Sequence, residues 1–180
     1  LMDRLPEEFS LDTEYCHTDP SAKGVPDSRK ALLTSIVISP DGEVGYSIPA
    51  SFIHLLDPIK KAKCLYLQNF KVDYEILERN GLDLTNTPFR DSMLLHHLID
   101  ENMEHGLGFM ANQYFADNYK EEFWTKYDSV EEAPLNEALE YEGKDVIYTY
   151  KLCKTFLKYL QEKDSLISLV HRIALALYFT

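Results

Sequence analysis

Polar and apolar positions alternate near the start of the chain, with Phe9 and Leu11 set against Ser10 and Asp12 in the run Phe9-Ser10-Leu11-Asp12-Thr13-Glu14-Tyr15. A period of two predicts a strand. Residues two apart on a strand share a side, so Asp12 and Glu14 are expected to project together. The polar stretch 16–30, with Pro20, Gly24 and Pro26, predicts a long loop. Ala31–Ser39 reads as a second strand, Pro40-Asp41-Gly42 as a turn and 43–48 as the returning strand of a hairpin. A short helix is predicted over 51–61, behind Pro49. Cys64-Leu65-Tyr66-Leu67 is an apolar run short enough for a buried strand. Directly after it, Phe70, Asp73, Tyr74 and Leu77 follow helical spacing, and Gly81 supplies a stop. Further helices are predicted over 92–98 behind Asp91, from Gly106-Leu107, over 134–161, and from 166 onward. A hairpin, then strand–helix units, then helices implies an α/β fold with a mixed central sheet flanked by helices.

Size and composition narrow this little. A chain of 180 residues can build one domain with a sizeable core, and 45% hydrophobic residues is ordinary for a soluble globular class. Cys16, Cys64 and Cys153 are far apart with no Cys-x-x-Cys. That argues against a disulfide framework or zinc site and fits a reducing intracellular compartment, the cytoplasm or a DNA-containing organelle. The first ten residues are charged and lack the apolar run of a secretory signal, and His171-Arg172 interrupts the most apolar segment. No membrane partner is expected. The leading Leu1 and an apolar last segment with no helix cap imply a fragment of a longer polypeptide. The net charge of −12 counts against gripping a phosphate backbone through Lys and Arg. It leaves room for phosphodiester chemistry through metal ions, or for a basic neighbouring domain.

Two carboxylates held side by side repel each other, and the usual compensator is a hard divalent cation with oxygen ligands. Taken alone, Asp12 and Glu14 would equally suit a solvated strand end. Asn69 and Asp73, four apart, share a helix face at its N-terminal end, just past a strand. Tyr141 and Asp145, also four apart, lie within the long helix, where a packed aromatic and a solvated acid would be the plain reading. Gly143 between them costs roughly 1 kcal/mol relative to Ala in a helix interior and leaves room for a close approach.

In this order and on these elements, Asp12-x-Glu14, Asn69-x-x-x-Asp73 and Tyr141-x-x-x-Asp145 resemble the DEDD 3′–5′ exonucleases, with the Tyr marking the DEDDy branch. The resemblance is closest to the proofreading domain of family A, polymerase I-like DNA polymerases. It extends to Phe89-Arg90-Asp91-Ser92-Met93-Leu94-Leu95 and His105-Gly106-Leu107, and covers most of 8–160. It implies a ribonuclease H-like exonuclease fold and hydrolysis of single-stranded or frayed DNA 3′ ends to nucleoside monophosphates. It further implies two divalent cations, Mg²⁺ or Mn²⁺. Asp12, Glu14 and Asp145 would ligate the first, Asp12 would also reach the second, and Asp73 would support the second through water. Asn69 would position the helix end or the substrate, and Tyr141 would orient the attacking water. The expected organisation is an exonuclease domain over 1–165 and, over 166–180, the start of a helix leading to a covalently linked polymerase domain.

The sequence departs from that family in a longer 16–30 loop and in Gln68, where the family often has His. Either Phe123 or Trp124 would serve as an aromatic wedge. Two rival readings remain: an RNase D-like exoribonuclease, and a catalytically inactive structural domain of a polymerase, against which the complete set of acids and Tyr141 argues. His96-His97 and His105 are read as helix-surface histidines, because no acidic or Cys partner has zinc-ligand spacing. Lys151, Lys154 and Lys158 share one face that would be solvated or follow a phosphate backbone. The acids at 121–122, at 131–132 and through Glu142 are read as solvating charge.

Overall fold

The computed structural model describes residues 5–17 and 31–160, together with Ile167, Leu169 and Ile173. Five strands form one sheet in the order β3-β2-β1-β4-β5. They are β1 (Glu8–His17), β2 (Ala31–Ser39), β3 (Tyr46–Pro49), β4 (Cys64–Leu67) and β5 (Phe89–Asp91). β1 pairs antiparallel with β2, and β2 with β3, whereas β1–β4 and β4–β5 are parallel. The sheet is therefore mixed and flanked by helices, as the pattern predicts. Most of the expected loop 16–30, and the expected helix from 166 onward apart from three residues, lie outside the described residues.

β1 is central and covered on both faces, so Phe9, Ser10 and Leu11 are all buried. Phe9 and Leu11 face a core built with α1 (Phe70–Arg79) and with two 3₁₀ turns, Ala50–Leu55 and Asp57–Lys61. These turns replace the single helix predicted over 51–61. Pro58 lacks the N–H that would carry an α-helix across the join at Leu56. On the other face lie α2 (Ser92–Ile99), α3 (Leu107–Phe115) and the long α5 (Leu135–Tyr159). Between α3 and α5 the chain forms α4 (Tyr119–Lys126), which the sequence pattern does not predict.

The inward stripe of α5 changes character along its length. Tyr141, Glu142 and Asp145 are buried in its first half, and Leu152, Cys153 and Phe156 in its second. Ser10 Oγ donates to the Val146 carbonyl at 2.7 Å and ties the middle of α5 to β1. The apolar half anchors the helix, and the polar half is held over the sheet.

The hairpin is looser than predicted, since β3 begins at Tyr46 rather than residue 43. Asp41 Oδ1 accepts from the N–H groups of Glu43 and Val44 at 2.8 and 3.1 Å, an Asx turn that takes those residues out of the ladder. The turn then lies against α5. A Cβ on Gly45 would stand 2.6 Å from Gly143 Cα, whereas a Cβ on Gly143 would meet Gly45 Cα at 3.9 Å. The close approach anticipated at Gly143 thus depends on Gly45. Gly45→Ala is expected to destabilise the protein by about 1–3 kcal/mol through overpacking. Gly143→Ala should be neutral or gain up to about 1 kcal/mol of helix propensity. Urea unfolding of the two variants checks this; equal losses would contradict the asymmetry.

Candidate active site

β1 runs past the end of its parallel partner. Its pairing with β4 stops at Ser10–Tyr66, so the following stretch has an open edge at the carboxyl end of the parallel strands. In open α/β sheets this is where ligands bind. The Thr13 N–H on that edge donates to Asp73 Oδ1 at 2.9 Å, and Thr13 Oγ1 donates to the same oxygen at 2.7 Å. Thr13 was not singled out by the sequence, yet it fixes Asp73 against β1. Asp12 and Glu14, on the opposite side of the strand from Thr13, turn toward α5. A register shift between Glu14 and Tyr15 interrupts the pairing with β2, which resumes from Tyr15–Leu33 to His17–Ala31, a common device for aiming side chains beside a site.

Asp73 is held from below as well. Asn69, immediately before α1, adopts a left-handed conformation with φ 58°, which Asn tolerates better than most residues. Its N–H and that of Phe70 donate to the buried Asp91 carboxylate at 3.2 and 2.9 Å. Asp91 also caps α2 by accepting from Met93 N–H at 2.8 Å. One carboxylate thus satisfies the starts of two helices. Gln68 braces the same corner, donating from Nε2 to the His105 carbonyl at 3.0 Å and accepting from Ser92 Oγ.

These elements bring the sequence-predicted residues together. Ligand oxygens of Asp12, Glu14 and Asp145 lie within 4.8 Å of one another. Asp73 lies next to Asp12, close enough for the two to share a proton. With Asn69 and Tyr141 they line one cleft of about 710 Å³. Burial and then the charge of Asp145 push Asp12 up to about 6. Burial, followed by Asp12, Asp145 and Glu142, pushes Glu14 up to about 9. Burial and then Asp12 hold Asp73 well above the usual carboxylate range. Burial and Asp145 raise the Tyr141 hydroxyl to about 12, so it stays a neutral phenol near neutral pH.

Two further residues complete the cluster. Tyr119 donates its hydroxyl to Asp145 Oδ1 at 2.5 Å, and Lys120 Nζ donates to Asp145 Oδ2 at 2.7 Å and to Tyr141 Oη at 3.1 Å. Burial opposes the charge on Lys120, but Asp145 and then Tyr141 outweigh it and raise its pKa. The sequence carries no motif for either residue. Their places follow from α4 packing on α5, where Phe123 stacks on Tyr141 with ring centroids 4.2 Å apart. Phe123 is therefore buried, and Trp124, 47% exposed and on the cleft wall, is the aromatic free to meet a ligand.

Several sequence-based readings change. His96 is fully buried, not on the surface, stacked on Phe156 and 2.7 Å from His105 between Nδ1 atoms. Glu142 is also buried and accepts from Ser47 Oγ at 3.0 Å. Lys154 and Lys151, read as solvated or as following a phosphate backbone, form surface ion pairs with Glu8 at 2.7 Å and Glu43 at 3.4 Å.

A mixed sheet with acids gathered at the carboxyl end of β1 and on a crossing helix defines the class: the ribonuclease H-like exonuclease fold. Solved structures agree. The chain superposes on Brucella melitensis NrnC with bound Mg²⁺ at a TM-score of 0.65 and 18% identity, covering 96% of this chain and 80% of that one. With NrnC bound to pGG the values are 0.66, 18%, 96% and 79%. The catalytic core of RRP6 from Trypanosoma brucei gives 0.61 and 15%, over 97% of this chain and 46% of that one.

More specifically, residues 4–161 match the 3′–5′ exonuclease family of A-type DNA polymerases, and the chain belongs to that family. DNA polymerase I of Borreliella burgdorferi is 37% identical over 108 residues, which make up 59% of this chain and 12% of that polymerase. Among the described residues, no helix is long and apolar enough to cross a membrane.

Proposed function

We propose that the cleft is a two-metal 3′–5′ exonuclease site that removes nucleotides from single-stranded or frayed DNA 3′ ends as the proofreading part of an A-type polymerase. The observation that carries this reading is the convergence of Asp12, Glu14 and Asp145 in one cleft, with Asp73 beside Asp12 in the same lining. The family and the polymerase I relative support it, as does the likeness to NrnC, a protein whose structures hold Mg²⁺ and pGG. The donor set suits hard divalent ions, since the groups are carboxylates and no His or Cys is among the described lining residues. Asp12, Glu14 and Asp145 would hold one Mg²⁺ or Mn²⁺, and Asp12 with Asp73 a second. Bound there, the ions would supply Lewis-acid activation of water and stabilisation of the departing 3′ oxygen.

The protein's own groups do the positioning. Tyr141 orients the attacking water through its hydroxyl, while Asn69 and Trp124 line the path of the terminal nucleotide. Water adds to the terminal phosphorus, the bond to the penultimate 3′ oxygen breaks, and a nucleoside 5′-monophosphate leaves. The cleft wall carries Asp12, Glu14, Asp73, Glu104 and Asp145 against Lys120 as the one cation among the described lining residues. Substrate phosphates therefore depend on bound ions more than on basic side chains. The segment 166–180 would lead to the linked polymerase domain.

The test uses 5′-labelled single strands of DNA and RNA with free or blocked 3′ ends. Shortening from a free DNA 3′ end is expected, faster for single strands and mismatched ends than for matched duplex. Degradation of a 3′-blocked strand would contradict the polarity. Preference for RNA would move the substrate to that of the RNase D-like rival.

A further inference from the structure

Both carboxylate oxygens of Asp145 already accept hydrogen bonds from the protein, Oδ1 from Tyr119 and Oδ2 from Lys120. Each oxygen keeps a lone pair for an ion, but a divalent ion there is repelled by an ammonium on the same carboxylate, which favours release of one donor. Lys120 is the one whose departure costs least in packing: its side chain is 26% exposed and lines the cleft, whereas Tyr119 is buried and stacks on Tyr148. The aliphatic stem of Lys120 is nevertheless fixed, close enough to Gly108 that a Cβ there would meet Lys120 Cβ at 3.1 Å. The ammonium is also 3.1 Å from Tyr141 Oη and 5.0 Å from the centre of that ring, so it has a second resting place. An ammonium only donates. While it donates to Oη, the Tyr141 proton must be given to another acceptor.

We propose that Lys120 is the built-in counter-ion of the carboxylate site: it occupies Asp145 Oδ2 until a divalent ion displaces it, stays on Tyr141, and thereby sets the ion affinity of the site. This rests on the two-metal reading of the cleft. A positive charge in contact with a ligand oxygen competes with a metal ion just as it competes with a proton. Opposite charges within ~4–6 Å shift carboxyl proton affinity by about ten- to a thousandfold.

The test is calorimetric titration of the whole chain with Mn²⁺ at fixed pH and ionic strength, for wild type, Lys120→Met, Lys120→Gln and Lys120→Arg. Lys120→Met keeps the packed stem, Lys120→Gln is a second neutral form should Met disturb folding, and Lys120→Arg keeps the charge. The two neutral variants are expected to bind Mn²⁺ about tenfold tighter or more, and to melt below wild type in EDTA because four acids lose their cation. Lys120→Arg, which keeps the charge, should fall closer to wild type than either neutral variant, which a purely structural role would not require. Wild-type or weaker affinity in the neutral variants would overturn the inference while leaving the metal site intact. Absence of Mn²⁺ binding by the wild type would overturn both.

Discussion

Replacing Asp12 with Ala is expected to lower the rate of DNA 3′-end hydrolysis by on the order of 10³-fold or more. Asp12 belongs to the tight group with Glu14 and Asp145 and also neighbours Asp73. Its loss removes a ligand that both ions would share. Tyr141→Phe removes only a hydroxyl, and the ring keeps its stack on Phe123. Its loss should be nearer 10²-fold, the low end for positioned catalytic groups. Single-turnover rates on 5′-labelled single strands make the comparison. Equal damage from the two substitutions would mean that Tyr141 is more than an orienting group.

The second large effect is on stability. Without metal, the folded protein holds Glu14 at about 9 and Asp12 at about 6, with Asp73 also well above its ordinary value. The folded state therefore keeps protons that the unfolded chain releases near pH 4. Stability from these groups is fully present below their unfolded pKa values and falls as pH rises through about 6 and on to about 9. In EDTA the protein is expected to melt at a lower temperature at pH 8.5 than at pH 5.5. Divalent ions, which bind the deprotonated folded site, should reverse the trend. Mass action gives roughly 2.7 kcal/mol at a hundredfold excess over the dissociation constant. Asp12→Asn should melt no lower than wild type in EDTA, because it removes one of the crowded charges, and should lose most of the gain from Mn²⁺. Thermal unfolding across pH with Mn²⁺ or EDTA checks each part; an equal Mn²⁺ shift in wild type and Asp12→Asn would exclude Asp12 as a ligand.

Where a segment's pattern reflects its own periodicity, the sequence was legible. β2 and β4 occupy the predicted residues, and α1, α2 and α3 begin where their signals stand. Asp12, Glu14, Asn69, Asp73, Tyr141 and Asp145 do reach one cleft. What escaped depends on contacts between distant parts of the chain. α4 has a weak stripe, Tyr119 and Phe123 on a mostly polar helix, and is held by packing on α5. Lys120 therefore looked like any charged residue, although its partner Asp145 lies 25 positions away. The Lys154 ion pair is invisible in the sequence because Glu8 is 146 positions away. Glu142 and His96 looked solvated because nothing local shows that Ser47 or Phe156 covers them. Gly143 signalled a close approach, but only the fold identifies Gly45 as its partner.

In the proposed mechanism, four carboxylates from β1, α1 and α5 hold the ions of the exonuclease site. Anomalous diffraction from crystals soaked in Mn²⁺ and a single-stranded DNA with a non-hydrolysable 3′ linkage tests it most directly. One Mn²⁺ is expected among Asp12, Glu14 and Asp145 and a second between Asp12 and Asp73, with the DNA 3′ end against Tyr141. Mn²⁺ bound only elsewhere, for example at His96 and His105, or a DNA 5′ end in the cleft, would contradict it.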